Sequence, residues 1–216
     1  MQLRRVRVTA IAIVLGTVGA SEGVAWQLGS RTAEGWIETL DRPERVKRLQ
    51  IDEVIARLRL KPGDILTDIG AGAGVFTVPF ARAVAPGGKV YAVEVDQGLV
   101  DHIAEKVRVE GVSNVETVLG EFTDPNLPTR DIDLAFFHDV LHHVKDRAVY
   151  LKNLARYIKP AGRVAIIERG HTRPEEHEMH MSQEEVTAWM ADVGFQPSEE
   201  HYLFEGGKWF VVYSRR

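Results

Sequence analysis

Residues 64–74 read Asp-Ile-Leu-Thr-Asp-Ile-Gly-Ala-Gly-Ala-Gly and decide the fold of this chain. A short apolar run ends in the acidic Asp68, and three glycines follow at alternating positions. This order predicts a buried parallel strand, a tight turn and the start of a helix. Because glycine has no Cβ, a ligand or the following helix can approach the backbone of the turn closely. The turn also directs free N–H groups and the positive end of the helix dipole toward whatever binds there.

The spacing of the glycines narrows the choice of ligand. A dinucleotide fingerprint has the form G-x-G-x-x-G and would need glycine at position 75, where this chain has Val75. The pattern present is Asp68-x-Gly70-x-Gly72-x-Gly74. It resembles motif I of the class I S-adenosyl-L-methionine (SAM) methyltransferases, whose ligand has no pyrophosphate. The alternative is a glycine-rich strand–helix turn of some other α/β protein.

Composition limits the size of the fold and its chemistry. A chain of 216 residues forms one domain, or one domain with a short appendage. Its formal net charge of -4 and the lack of a long basic stripe argue against a nucleic-acid partner. Cysteine is absent, which excludes disulfides, thiolate metal sites and a cysteine nucleophile.

The N-terminal segment has the pattern of a signal peptide. Arginines precede an apolar stretch over residues 8–20, and small residues offer cleavage sites after Ala20 or Ala25. The stretch is short for a membrane-spanning helix, which needs about 20 apolar residues. We expect residues 1–30 to be a signal-like or anchor segment outside the fold, and residues 31–216 to form the domain. The alternative is a loosely docked extension.

This segment leaves the compartment open. A signal or an anchor indicates export or membrane attachment, whereas a SAM-dependent enzyme needs a cofactor that is made inside cells. We therefore expect membrane contact only through the N-terminal segment, and only if it is not cleaved. The oligomeric state cannot be read from the sequence.

A helix is predicted ahead of the first strand. The run Asp41-Arg42-Pro43-Glu44 offers a cap, a first-turn proline and an acid three residues after the cap, and the stretch 61–63 (Lys-Pro-Gly) ends the helix. In the resembled family such a helix lies over the cofactor, which implies that Trp36, Arg42 and Arg45 contact SAM. The alternative is a packed aromatic ring and two solvated arginines.

Two further strand ends supply candidate cofactor ligands. The strand predicted over residues 90–94 ends in Glu94, and an acid at this position hydrogen-bonds ribose hydroxyls in dinucleotide sites. The resemblance implies the same role toward the ribose of SAM. It also implies that the loop after the third strand brackets adenine, with Glu121 accepting from the exocyclic amine and Phe122 pressing on the ring. Asp124 is an alternative for the polar role.

The candidate catalytic residues follow the fourth predicted strand, residues 131–137. The tetrapeptide Asn/Asp-Pro-Pro-Tyr/Phe of nitrogen-directed methyltransferases is missing there, which argues against methylation of DNA bases or glutamine. His138 or Asp139 can orient or deprotonate an acceptor hydroxyl. Asp139 and His142 are three residues apart and would share one face of a helix. The alternative is that Asp139 caps that helix and His142 packs beneath it.

The histidines after the fifth strand raise the question of a metal. His171, His177 and His180 match no common zinc spacing and no thiolate joins them. A loop over the acceptor site is the better interpretation of this connection, so no metal site is assigned. The run Ser182-Gln183-Glu184-Glu185 then predicts a capping box and a helix.

The order of strands and helices from residue 64 to 193, followed by a hairpin, predicts the fold. It is a doubly wound, Rossmann-like α/β sheet that is mostly parallel, with one antiparallel strand near the C-terminus. The resemblance covers residues 36–213 and is closer to bacterial members with a signal-like N-terminus. Their motifs stand here at Trp36-Ile37-Glu38, Asp41-Arg42-Pro43-Glu44-Arg45, Asp139-Val140-Leu141-His142 and His180-Met181-Ser182.

The resemblance implies an enzyme that transfers the methyl group of SAM to a small-molecule acceptor by in-line displacement. Two alternatives remain from the sequence. A nicotinamide-dependent oxidoreductase would share the crevice and Glu94, although Val75 breaks its fingerprint and no Tyr-x-x-x-Lys dyad follows. A SAM-binding domain without catalysis is the other.

Overall fold

A computed structural model describes residues 31–170 and 180–216 of the chain. Within these residues seven strands form one sheet in the order β3-β2-β1-β4-β5-β7-β6. The strands are β1 (Ile65–Ile69), β2 (Lys89–Glu94), β3 (Val115–Leu119), β4 (Ile132–His138), β5 (Ile158–Arg169), β6 (Phe195–His201) and β7 (Lys208–Arg215).

Helices precede the sheet and connect its strands. They are α1 (Ala33–Leu40), α2 (Pro43–Arg48), α3 (Ile51–Leu58), α4 (Thr77–Ala83), α5 (Gln97–Val109), α6 (Arg147–Leu154) and α7 (Gln183–Asp192). A single 3-10 turn at Leu141–His143 follows β4. None of the helices within the described ranges is both long enough and apolar enough to cross a membrane.

The pairing of the strands confirms the predicted topology. Strand β1 pairs in parallel with β2 on one side and with β4 on the other, and β5 continues the parallel sheet beyond β4. Strand β7 is antiparallel to both of its neighbours, β5 and β6. The strand order reverses between β1 and β4, and ligands bind at such a switch point, beyond the carboxyl ends of the strands.

Hydrophobic layers cover both faces of the sheet. Neighbouring residues in β4 point to opposite faces, so Phe137 joins the layer under α6 and α7, while Phe136 joins the layer under α3 and α4. Both side chains are fully buried. Strands that are covered on both sides read as continuous apolar runs, which is why 134–137 shows no polar alternation.

The sequence predicted one continuous helix ahead of the first strand, and this prediction is wrong. Gln50 has a left-handed backbone with φ of 51°, and the chain there divides into the separate helices α2 and α3. Asp41 does not cap α2: it is the C-terminal cap of α1, and its carboxylate accepts from Lys106 Nζ at 2.8 Å. Pro43 does open α2, as expected.

The predicted start of α7 is confirmed. The Ser182 hydroxyl accepts from the Glu185 backbone N–H at 3.1 Å, and the Glu185 carboxylate accepts from the Ser182 backbone N–H at 3.1 Å. The predicted signal-like segment, residues 1–30, lies outside the described residues, as do His171 and His177.

Candidate active site

A cavity of about 1050 Å³, including its open mouth, lies at the carboxyl ends of β1, β2 and β4. Its wall combines the glycine turn, the ends of β2 and β4, and residues of α1 and α2. The lining residues used below are Trp36, Leu40, Arg45, Asp68, Gly70, Gly72, Glu94, Val95, Leu99, Glu121, Phe122, His138, Asp139, Val140 and His143.

The glycine turn is built by close backbone approaches. Gly70 and Gly72 have left-handed φ values of 63° and 59°. A Cβ on Gly70 would lie 2.6 Å from the Val140 side chain, and one on Gly72 would lie 2.8 Å from Leu40. Any larger residue would displace these walls of the cavity. Gly74 does not line the cavity: a Cβ there would face Ile103 of α5 at 3.4 Å.

Glu94 ends β2 with its carboxylate held by the turn. Oε1 accepts from the Gly72 backbone N–H at 2.6 Å, and Oε2 accepts from the Val95 N–H at 3.0 Å. The side chain is buried, and burial raises its pKa to about 6, against the lowering effect of these two hydrogen bonds. At neutral pH it therefore offers an oriented carboxylate to a ligand in the cavity.

Asp68 lies deeper, at the base of the same cavity. Its Oδ2 accepts from the Thr77 hydroxyl at 2.7 Å. Burial raises the pKa of Asp68 to about 7, while the Thr77 hydrogen bond opposes the shift and nearby Glu94 adds to it. The strand-end acid is thus poised between its neutral and ionised forms near physiological pH.

A largely apolar end of the cavity is suited to a flat ring. Val95, Leu99, Phe122 and Glu121 line it. Asp124, the alternative polar residue, is not among the lining residues, because its Oδ1 accepts from the Tyr157 hydroxyl at 2.7 Å. Of the predicted adenine contacts, Glu121 and Phe122 therefore face the cavity and Asp124 does not.

Asp139 sits at the other end, in a strained backbone conformation with φ of 54°. Its Oδ2 accepts from Lys208 Nζ at 2.6 Å. The same ammonium lies 3.3 Å from His138 Nε2, which can accept from it. Burial would raise the pKa of Asp139, but the adjoining His138 and Lys208 outweigh it and lower that pKa overall. Asp139 is therefore ionised at neutral pH.

The two histidines that line the cavity are neutral imidazoles at pH 7. Burial lowers the pKa of His138 to about 3, with Asp139 opposing the shift. Burial also lowers the pKa of His143 to about 4, and the adjacent His142 adds to this effect. Lys208 and Arg45 thus supply the positive charge at this end of the cavity.

The expectation that Asp139 and His142 share a helical face is wrong. Asp139 is left-handed, and only a 3-10 turn starting at Leu141 follows it. His142 does not line the cavity, and its Nδ1 lies 2.9 Å from Oε2 of the fully buried Glu168. Asp139 does not cap the turn either, since the cap position is Val140 and makes no side-chain hydrogen bond.

Sequence reasoning missed three residues of this region. His143 lines the cavity in place of its neighbour His142. Lys208 reaches Asp139 from the first position of β7, directly after Gly206-Gly207, and Glu168 is the acid near the end of β5. An acid at a strand end was a usable signal for Glu168, but nothing local marks Lys208.

Arg45 is the residue of the N-terminal region whose position matters most. It lines the cavity with Trp36, whereas Arg42 is exposed and pairs with Glu38 at 3.6 Å. The Arg45 guanidinium is half-buried and donates to the Leu40 carbonyl at 2.9 Å, its one hydrogen bond to the described part of the chain. Within residues 31–170 and 180–216 no group of three histidine, aspartate or glutamate side chains is placed to hold a metal ion.

Comparison with known proteins identifies the domain. Residues 67–166, which include the glycine turn, Glu94 and the β4 end, match the methyltransferase domain family. A SAM-dependent methyltransferase from Aquifex aeolicus superimposes with a TM-score of 0.75 at 28% identity, covering 85% of this chain and 98% of that one. The chain contains a class I SAM-dependent methyltransferase domain.

Curated relatives of this methyltransferase domain act on different acceptors. A demethylmenaquinone methyltransferase of Geobacillus sp. (strain WCH70) is 26% identical over 54% of this chain and 50% of that protein. The arsenite methyltransferase of Halobacterium salinarum is 25% identical over 68% of this chain and 38% of that enzyme. The chain spans about half the length, or less, of the curated relatives it matches. The matching family and these relatives give no support to a nicotinamide-dependent oxidoreductase.

Proposed function

We propose that this chain is an enzyme that transfers the methyl group of SAM to a small-molecule acceptor. The observation that carries the proposal is that one cavity joins two sets of residues. The glycine turn and Glu94 form its cofactor end, and Asp139 forms its acceptor end. When bound, SAM would supply an electrophilic methyl group on its sulfonium: an acceptor nucleophile would bond to the methyl carbon in line as the carbon–sulfur bond breaks, with S-adenosylhomocysteine as the leaving group.

The residues of the cavity fit this cofactor. Gly70 and Gly72 leave room where a Cβ would enter the space beside the turn. The Glu94 carboxylate suits the vicinal hydroxyls of a ribose, because it can accept two hydrogen bonds. Phe122 and Leu99 offer an apolar wall for an adenine ring, and Glu121 offers an acceptor for its amine.

At the acceptor end, Asp139 is the group suited to hydrogen-bond the nucleophile. It is ionised and faces the cavity, whereas His138 is engaged by Lys208 through Nε2. In this proposal Asp139 orients the acceptor or takes its proton, His138 and Lys208 fix the carboxylate, and His142 acts only through Glu168. Alignment in a site sheltered from water supplies most of the acceleration, since proximity alone can lower a barrier by about 7–11 kcal/mol.

A small acceptor is supported by the charge of the chain and by two of its curated relatives. The net charge of -4 does not favour a nucleic-acid backbone. The relatives named for demethylmenaquinone and arsenite act on small molecules. Trp36, Val140 and His143 line the same cavity as Asp139, so the acceptor would bind inside a pocket, which suits a compact ligand.

The experiment has two stages. Thermal-shift titrations with SAM, S-adenosylhomocysteine (SAH) and NAD test the cofactor, because a ligand at 100 times its Kd adds about 2.7 kcal/mol to the free energy of unfolding. Transfer from methyl-labelled SAM to the low-molecular-weight fraction of a cell extract then tests the activity. Stabilisation by NAD alone would contradict the proposal. Stabilisation by SAM and SAH without transfer to any extract would leave a SAM-binding domain without catalysis.

We also propose that residues 1–30 are a signal-like or anchor segment. The basic start, the apolar stretch and the small residues near Ala20 and Ala25 support it. Mass spectrometry of the protein from its native host tests it directly. A mature N-terminus at residue 21 or 26 would indicate a cleaved signal, and an intact chain in the membrane fraction would indicate an anchor. An intact chain recovered from the cytosol would contradict the proposal.

A further inference from the structure

Glu168 is a buried carboxylate with three partners on three consecutive residues. Its side chain has no solvent exposure. Oε1 accepts from the backbone N–H groups of Val140 at 2.8 Å and Leu141 at 2.6 Å, and Oε2 lies 2.9 Å from His142 Nδ1. A carboxylate is costly to bury unless donors satisfy it. Here the donors all belong to the turn that follows β4.

These contacts hold the turn on which Asp139 stands. The Asp139 N–H continues the β4–β5 ladder by donating to the Ile167 carbonyl at 2.9 Å. Immediately afterwards the backbone is left-handed at Asp139, a conformation that a non-glycine residue keeps only when its surroundings impose it. The next two N–H groups are the ones that Glu168 binds.

The same contacts also fix one wall of the cofactor turn. Val140 packs so closely over Gly70 that a Cβ on Gly70 would lie 2.6 Å from its side chain. Glu168 itself is not among the cavity-lining residues, so it can act on a ligand only through the turn. It lies behind the acceptor end and holds Asp139 and Val140 in place.

We propose that Glu168 is a positioning residue for methyl transfer: its carboxylate fixes the 139–142 turn so that Asp139 faces the cavity and reaches Lys208. This role rests on the proposed function. It explains why a charged group is retained in the core, where an apolar residue of similar size would avoid the cost of desolvation.

The test compares Glu168→Met with a matched control at the opposite end of β4. Methionine keeps roughly the size of the side chain but offers no oxygen to the Val140 and Leu141 N–H groups or to the His142 ring. The control is Asp133→Leu. Asp133 Oδ2 likewise accepts from a backbone N–H, that of Ile65 at 2.8 Å, and from Lys159 Nζ at 2.9 Å.

The readout is the pKa of the Asp139 carboxyl in ligand-free protein. It is measured by a pH titration in which the 13C chemical shift of that carboxyl is recorded. If Glu168→Met releases the turn, Asp139 moves away from Lys208 and its pKa rises. Loss of the Glu168 charge alone would shift the pKa of Asp139 downward, so the direction separates the two effects. An unchanged or lowered pKa in Glu168→Met would overturn the proposal, as would an equal rise in Asp133→Leu.

Cofactor affinity and amide exchange complete the design. SAH affinity is measured for both variants, because Glu168 holds Val140 and Val140 packs over Gly70 of the cofactor turn. Failure of the wild type to bind SAH would contradict the proposed function, whereas the titration tests Glu168 independently. If the variant does not fold, hydrogen exchange of the backbone amides in the wild type tests the role of Glu168 instead. Val140 and Leu141 amides should exchange as slowly as those of β4, and exchange as fast as in the 202–207 loop would overturn the role.

Discussion

The backbone N–H of Gly72 donates to Oε1 of Glu94 at 2.6 Å and so ties the turn after β1 to the end of β2. The second carboxylate oxygen is fixed by the Val95 N–H at 3.0 Å. Because both oxygens are held, Glu94 needs little reordering when a ligand arrives. The hydrogen bond joins the two sequence features that indicate a SAM site.

Replacement of Glu94 by alanine should weaken SAM binding by about 1.5–3 kcal/mol, roughly 10- to 150-fold in Kd. The reason is the loss of a charged acceptor for the ligand hydroxyls together with the anchor of the turn. Calorimetry measures the Kd for SAM in both proteins. Glu116→Ala is the control, because Glu116 pairs with Lys89 and does not line the cavity. Equal SAM affinity in both variants would remove Glu94 from the site.

Gly72→Val should abolish SAM binding while the sheet remains folded. The new side chain would meet Leu40, since a Cβ alone lies 2.8 Å from it, and would fill the cofactor end. Part of any loss of stability or SAM binding would come from the strain of placing valine at a left-handed φ of 59°. Gly111→Val controls for this, because Gly111 has φ of 66° and no atom within 4 Å of its Cβ position. Circular dichroism with SAM calorimetry checks both variants, and retained SAM binding in Gly72→Val contradicts the assignment.

Arg45→Gln should weaken the binding of SAH but not that of 5′-methylthioadenosine, which lacks the amino-acid moiety. Arg45 is the one arginine among the described residues that line the cavity, and its guanidinium has donors to spare for a carboxylate. We expect SAH binding to weaken about 10- to 150-fold and methylthioadenosine binding to stay within twofold.

The exposed Arg42→Gln is the matched control for this prediction. Equal weakening of both ligands would mean that Arg45 serves only to hold Leu40 and α1. No weakening of either would mean that the cofactor carboxylate binds elsewhere.

Asp139→Asn should lower turnover by about 10²–10⁴, the size of a general-base contribution, and leave SAM affinity within about threefold. The asparagine keeps the shape of the side chain but cannot take a proton. Single-turnover kinetics with the acceptor found in the extract assay measures the effect, and the melting temperature is recorded alongside. A loss below tenfold would show that alignment alone drives transfer.

The raised pKa of Asp68 predicts a stability that falls as pH rises. In the folded protein its pKa is about 7, against 3.8 for the ordinary group, so between these values the folded state binds more protons than the unfolded state. The contribution of protonated Asp68 to the free energy of unfolding is therefore complete below about pH 4 and is lost as the pH rises toward 7. Relative to Asp68→Asn, the unfolding free energy of the wild type should fall by up to about 1.4 kcal/mol per pH unit in that window. Urea unfolding at several pH values measures this difference, and a constant difference would contradict the burial effect.

The sequence alone was sufficient to bring Asp68, Gly70, Gly72 and Glu94, the residues that we propose for the cofactor end, to one cavity. Asp68, the alternating glycines and Glu94 are local signals at the ends of consecutive strands. Parallel strands bring their carboxyl ends to one edge of the sheet, so these residues had to meet once the alternation of strands and helices was recognised. The antiparallel β7 was predictable for a related reason, because a short glycine turn joins it to β6.

Only the tertiary structure decided which groups meet Asp139 at the proposed acceptor end. Lys208 meets Asp139 from 69 residues away, and Glu168 meets Val140 from 28 residues away. Local periodicity places His142 beside Asp139, but the buried carboxylate of Glu168 needs donors and holds the turn with three of them, the His142 ring among them. Which polar groups pair depends on which are buried together, and that competition is settled by packing across the sheet rather than by spacing along the chain.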